Sequence, residues 1–85
     1  MTQYRTSVHI IPRDGILDPQ GHAVADALHS LGFSQVRDVR VGRHIVVDTD
    51  AETPQAARDA VRSMCERLLS NPVIEDFDIV SIIPR

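Results

Sequence analysis

The chain reads as a ferredoxin-like α+β domain: order β-α-β-β-α-β, with a four-stranded antiparallel sheet and both helices on one face. Three observations predict it. Segments 3–11, 35–41, 44–49 and 74–83 carry β-branched or alternating apolar residues. Two helical stretches each open on a capping residue followed by proline, at Asp18-Pro19 and Thr53-Pro54. The preference for right-handed crossovers then places both helices on the same side of one sheet.

The elements follow in chain order. Tyr4, Thr6, Val8 and Ile10 alternate in the first strand, Pro12 ends it, and Asp14-Gly15 signals a turn. In the first helix Val24, Ala27, Leu28 and Leu31 share one face. Gly32 sits where a left-handed cap belongs, with Phe33 placed to fold back onto the last turn. Segments 35–41 and 44–49 predict a hairpin through Gly42-Arg43, with Val39 and Val41 on one strand and Ile45 and Val47 on the other. The second helix carries a buried stripe of Ala57, Val61, Met64, Cys65 and Leu68, and Asn71-Pro72 stops it. In the last strand Phe77, Ile79 and Ser81 alternate against Asp78, Val80 and Ile82.

At 85 residues the chain has room for one domain, taken as 1–85. Its hydrophobic content of 42% argues against disorder, but the only aromatics are Tyr4, Phe33 and Phe77, so the core is expected to be aliphatic. A domain this small buries little more than ~60% of its unfolded surface, and association is a common remedy. The predicted outer sheet face carries Val46, Val80 and Ile82 amid His44, Asp48 and Asp78. Pairing with another copy would cover those aliphatic groups, so a homodimer or higher oligomer is expected.

Charge excludes other classes. The net charge is -3, from nine Arg, no Lys and twelve acids, which argues against nucleic acid as a partner. The start, Met1-Thr2-Gln3-Tyr4-Arg5, lacks the apolar stretch of a signal peptide, and no apolar run nears the ~20 residues of a membrane span. With one cysteine there is no internal disulfide, so a cytoplasmic setting without membrane contact is expected.

No catalytic, cofactor-binding or metal set emerges. Cys65 lies deep in a helix on its apolar stripe, which favours core packing over nucleophilic work. His9, His22, His29 and His44 include no i, i+4 pair and have no Cys-x-x-Cys beside them. They read as solvated, with zinc open only across subunits. Gly15 and Gly21 have Gly-x5-Gly spacing, which is neither a dinucleotide nor a P-loop pattern. Gly21 costs an early helical turn ~1 kcal/mol relative to Ala, so it marks close approach by another backbone or chain. Arg37, Arg40 and Arg43 are the one local basic group, suited to carboxylates. The candidate partner contacts are therefore Gly21, Arg40, Gly42 and Arg43. An acylphosphatase-like enzyme would need an Asn that orients water, and the only Asn, Asn71, terminates a helix. An RNA-binding domain would need stacked aromatics on its central strands, and Val39, Val41, Ile45 and Val47 stand there instead.

Four segments, in order, carry a resemblance: Gly15-Ile16-Leu17-Asp18-Pro19-Gln20-Gly21, then 27–33, then Val39-Arg40-Val41-Gly42-Arg43, then 64–77 with Asn71-Pro72-Val73-Ile74-Glu75-Asp76-Phe77. Together they resemble the PurS-type small subunit of phosphoribosylformylglycinamidine synthase, also called formylglycinamide ribonucleotide amidotransferase. The resemblance implies a dimeric, non-catalytic subunit of a purine-forming ligase. It would bridge a glutaminase subunit and a large ATP-dependent synthetase subunit and assist ammonia transfer between them. It also implies that ATP and magnesium bind the large partner, with no cofactor on this chain. The isolated chain is then expected to be inactive. The alternative is a ferredoxin-like module that senses an amino acid or other small molecule.

Overall fold

In the computed structural model, residues 1–15 and 18–85 are described; Ile16 and Leu17, inside the first resemblance segment, lie outside them. The predicted alternation yields β1 (Thr2–Pro12), whose residues Tyr4, Thr6, Val8 and Ile10 are all buried while their neighbours face outward. Helix α1 (Pro19–Ser30) starts on Asp18, whose side chain accepts from the Gly21 amide, with Pro19 in the first turn. Gly32, at φ +99°, then closes it with a paired cap: Phe33 N–H donates to the Leu28 carbonyl and Gly32 N–H to that of His29, each at 3.0 Å. Strand β2 (Arg43–Ala51) and helix α2 (Pro54–Met64) come next, the latter capped by Thr53. A five-residue π-helical segment, Cys65–Leu69, extends α2, and β3 (Glu75–Pro84) ends the fold.

Among the described residues the sheet has three strands, not four, in the order β2-β1-β3, with both pairs antiparallel. The ferredoxin-like expectation fails at segment 35–41, which forms no strand. Its β-branched residues would suit a sheet, but its polar groups are committed to α1. The Val41 amide donates to Asp18 Oδ2 at 2.8 Å, and the His29 ring nitrogen lies 2.7 Å from the Val36 carbonyl oxygen. Side-chain bonds to α1 and its cap take up groups that a ladder would use, and the expected hairpin through Gly42-Arg43 is absent with it.

Two further expectations fail through changes of phase. β3 carries a bulge: Ser7 faces Ser81 but Val8 faces Ile79, which leaves Val80 as the extra residue. Beyond it Ile82 turns inward, against Tyr4, Ala51 and Ala57, while Ile83 is turned outward. The outer face therefore presents Val46, Val80 and Ile83, and Ile82 is not part of it. In the π-helical segment the Ser70 amide and hydroxyl both donate to the Cys65 carbonyl, at 3.0 and 2.8 Å. That wider turn puts Leu69 against the core and leaves Leu68, expected in the stripe, 82% exposed. The end of the chain is paired as well. Arg85 N–H donates to the Gln3 carbonyl at 2.8 Å, and Asp48 accepts from both Arg5 and Arg85.

The core lies between β1 and α2. Val8, Ile10, Val61 and Cys65 form one cluster and Tyr4, Ala51 and Ala57 another. Among the described residues helix α2 packs on all three strands, whereas α1 has no comparable packing and buries only Gly21. The molecule is accordingly long, with extents of 52 × 26 × 14 Å.

Candidate functional site

The end of β1, the start of β2 and the start of β3 meet at one end of the sheet, because Ile10 pairs with Arg43 and Pro12 with Glu75. That pairing brings Asp18, Gly21, residues 39–43, Asn71 and Glu75 into two adjoining knots. The first joins α1 to residues 36–42. Asp18 caps the helix through Oδ1, which accepts from Gly21 N–H at 3.1 Å, and reaches the Val41 amide through Oδ2. Those two amides, Val41 foremost, hold its carboxyl below the ordinary carboxylate range. Gly21 is needed for contact: a Cβ there would lie 2.0 Å from the Val39 carbonyl oxygen. Gly42 is needed likewise, since its Cβ would lie 2.2 Å from the Ile10 carbonyl oxygen. The close approach expected at Gly21 is thus made by the chain's own backbone. Arg40 binds Asp14 at 2.8 Å and Asp38 at 3.6 Å, and donates to the Pro12 carbonyl at 3.3 Å.

The second knot ties β2 to the end of the π-helical segment. Arg43 donates to the Leu69 carbonyl at 2.9 Å and to Glu75 at 3.0 Å. Glu75 also accepts from the Asn71 amide at 2.8 Å. The Asn71 amide, and then the Arg43 guanidinium, hold the Glu75 carboxyl below its usual range. Arg40 and Arg43 therefore hold this end together through bonds within the chain. Between α1 and residues 37–40 lies a cleft of about 280 Å³ whose walls include Asp18, His22, Asp26, His29, Arg37 and Arg40. Its charge is mixed, and no sequence motif announces it, because it arises from bonds between residues far apart in the chain.

Cys65 has no solvent exposure, and burial pushes its thiol up, the reverse of what a nucleophile needs. Among the described residues no group of three or more His, Cys, Asp or Glu side chains is placed to hold a metal ion. No helix among them is long and apolar enough to cross a membrane.

Among the described residues the chain is an α+β module with a three-stranded sheet and two knots at one sheet end, and comparison with known proteins identifies its family. Residues 5–82 match the family model for PurS, phosphoribosylformylglycinamidine (FGAM) synthase, and the chain belongs to that family. It is 40% identical over 74 residues to the phosphoribosylformylglycinamidine synthase subunit PurS of Bacillus subtilis, covering 87% of each chain. To the subunit of the same name from Methanocaldococcus jannaschii it is 36% identical, over 89% of this chain and 92% of that one. Among solved structures it resembles Thermus thermophilus PurS with a TM-score of 0.80 and 36% identity, over 94% of each chain. It also resembles a chain of the Thermotoga maritima PurLQS structure with a TM-score of 0.82 and 26% identity, over 100% of both. The expected PurS-type family is met, and the amino-acid-sensing alternative gains no support.

Proposed function

We propose that this chain is the small subunit of an ATP-dependent phosphoribosylformylglycinamidine synthase in purine biosynthesis. It bridges a glutaminase subunit and a large synthetase subunit. It assists the passage of ammonia used to convert formylglycinamide ribonucleotide to formylglycinamidine ribonucleotide. The observation that carries this reading is the full-length match to a chain of the Thermotoga PurLQS structure, together with the meeting of Asp18, Gly21, residues 39–43, Asn71 and Glu75 at one sheet end. The contribution of such a subunit is positional: it holds two active sites in register and supplies no reacting group. ATP and magnesium sit on the large partner, no cofactor sits on this chain, and the complex works in the cytoplasm.

The working form is a homodimer or higher oligomer. A compact chain of 85 residues has a radius of gyration of about 12 Å, against the observed 16.3 Å. Val24, Leu31 and Phe33 on and after α1 stay exposed at 42%, 75% and 47%. The outer edge of β2 has no strand beside it among the described residues. A second copy would cover such surfaces.

The test is to measure formylglycinamidine ribonucleotide synthesis by the reconstituted complex from glutamine and from excess ammonium, with and without this chain. Omission is expected to abolish the glutamine-driven rate and leave most of the ammonium-driven rate. Equal loss of both would overturn the bridging role.

A further inference from the structure

On the sheet face away from α2, His9 of β1 and His44 of β2 stand directly opposite each other in the antiparallel register. Both are exposed, and their ring centroids are 4.8 Å apart. That distance is informative. With metal–nitrogen bonds of about 2.0–2.1 Å, two imidazoles sharing one ion at cis angles of about 90–110° hold their centroids roughly 4.5–5.2 Å apart. The observed spacing falls inside that range. The rings are inclined at 60° in an edge-to-face contact, so a chelate requires a ring to turn. Exposed rings also rotate readily about χ2, which can turn one nitrogen of each toward a shared position.

The surroundings favour a cation. Asp78 of β3 occupies the position opposite His9 on its other side, while Asp76, one outward-facing step along, is engaged by Arg13 at 3.2 Å. Arg5, on the same face, is engaged by Asp48 at 2.9 Å. We infer that His9 and His44 form a two-nitrogen chelate for a borderline divalent transition ion, with Cu²⁺ bound most tightly and Ni²⁺ and Zn²⁺ more weakly. No third His, Cys, Asp or Glu completes the set among the described residues, so water fills the remaining positions. The site lies on the strand framework, away from the α1 cleft, and does not depend on the role proposed above.

Titration calorimetry of the untagged full-length chain with Cu²⁺ and with Zn²⁺ at neutral pH tests this. The expected result is one Cu²⁺ per chain, bound more tightly than Zn²⁺. His9→Gln and His44→Gln should each weaken Cu²⁺ binding at least tenfold, because either removes half of a chelate. His22→Gln and His29→Gln should leave it unchanged. Cu²⁺ should also raise the melting temperature of the wild type but not of His9→Gln, since an ion joining β1 to β2 binds only the folded chain. All four exchanged side chains are exposed, so each variant should fold, which far-ultraviolet circular dichroism would check. Unchanged Cu²⁺ affinity in the His9→Gln/His44→Gln double variant would overturn the inference. So would equal losses from His22→Gln, which would mark independent surface histidines.

Discussion

Two helices of this chain begin alike and end in different surroundings. Asp18-Pro19 and Thr53-Pro54 use the same cap and the same first-turn proline. α2 then buries Ala57 and Val61 completely against the sheet, with Cys65 just beyond it. α1 buries a single glycine, and Val24 on it and Leu31 at its C-terminal cap face solvent within the isolated chain. Capping decides where a helix starts; it does not decide whether the helix finds a sheet. α2 is joined to the core by dispersion and apolar burial, whereas α1 is joined to residues 36–42 by a few directed polar bonds. Apolar substitutions should therefore damage the α2 side most, and polar or steric ones the α1 side.

The largest expected effect comes from Ile10→Ala. Ile10 is 1% exposed in the α2-facing cluster, and truncation there should cost about 3 kcal/mol. Leu31→Ala, at 75% exposure, should change the stability of the isolated chain by no more than about 0.5 kcal/mol. Instead it should weaken self-association. Chemical denaturation and sedimentation measure the two effects separately. Equal destabilisation of a monomer by both substitutions would break the contrast.

Gly21→Ala comes next, and its sign is a contest. Alanine gains about 1 kcal/mol in helix propensity. The new Cβ, however, meets the Val39 carbonyl oxygen at 2.0 Å, its carbon at 2.9 Å and Asp18 Oδ2 at 2.6 Å. Two of the three are backbone atoms that no rotamer change can move, so the clash should win, with a net cost of about 1–3 kcal/mol. Hydrogen exchange should show faster opening in α1 while the β1 and α2 amides keep their protection. Uniform loss across the chain would mean that α1 is coupled to the core after all.

The same contrast explains how much of the fold and site is legible in the sequence. β1, both caps, the Gly32 terminus and the inward set Tyr4, Thr6, Val8 and Ile10 depend on local spacing, and local spacing is what a sequence displays. The fate of segment 35–41 depends on Asp18, whose second oxygen takes the Val41 amide 23 positions away; no periodicity encodes that. Ile82 and Leu68 depart from their expected faces because one inserted residue at Val80 and one widened turn after Cys65 each shift the phase of the residues beyond them. Gly21, Arg40, Gly42 and Arg43 stand out in the sequence as candidate partner contacts, and the structure gives each a close contact within the chain. The facing of His9 and His44 requires a strand register, which alternation alone does not supply.

Thr6→Val should act in the opposite direction. Thr6 has no solvent exposure, and its hydroxyl lacks a hydrogen-bond partner among the described residues. Replacing it with an isosteric methyl removes a desolvation penalty, so the variant should be more stable by about 1 kcal/mol. A loss in thermal denaturation would show that the hydroxyl has a bonding role.

The smallest effect expected is one of acidity, and it sharpens the comparison because each knot contains its own carboxylate. Asp18 and Glu75 both titrate below their usual range in the folded chain. A group whose folded pKa is depressed adds stability above its unfolded value, about 4 for these acids, and that stability is lost as pH falls through the folded value. Both contributions should therefore be complete at neutral pH and fade below about pH 4. The consequences differ by location. Protonating Asp18 weakens its bond to the Gly21 amide, which caps α1, and its bond to the Val41 amide, which holds α1 to residues 36–42. Protonating Glu75 weakens its bonds to the Asn71 amide and to Arg43, which tie β2 to the segment leading into β3. Asp18→Asn should flatten the acid dependence of exchange in α1 while leaving that of the global transition. Glu75→Gln should flatten the acid dependence of the global transition and leave α1 as it was. Hydrogen exchange and denaturant midpoints between pH 3 and pH 7 would measure both. Identical acid profiles for the two variants would show that the knots open together, and that α1 is bound to the sheet more tightly than its few polar bonds suggest.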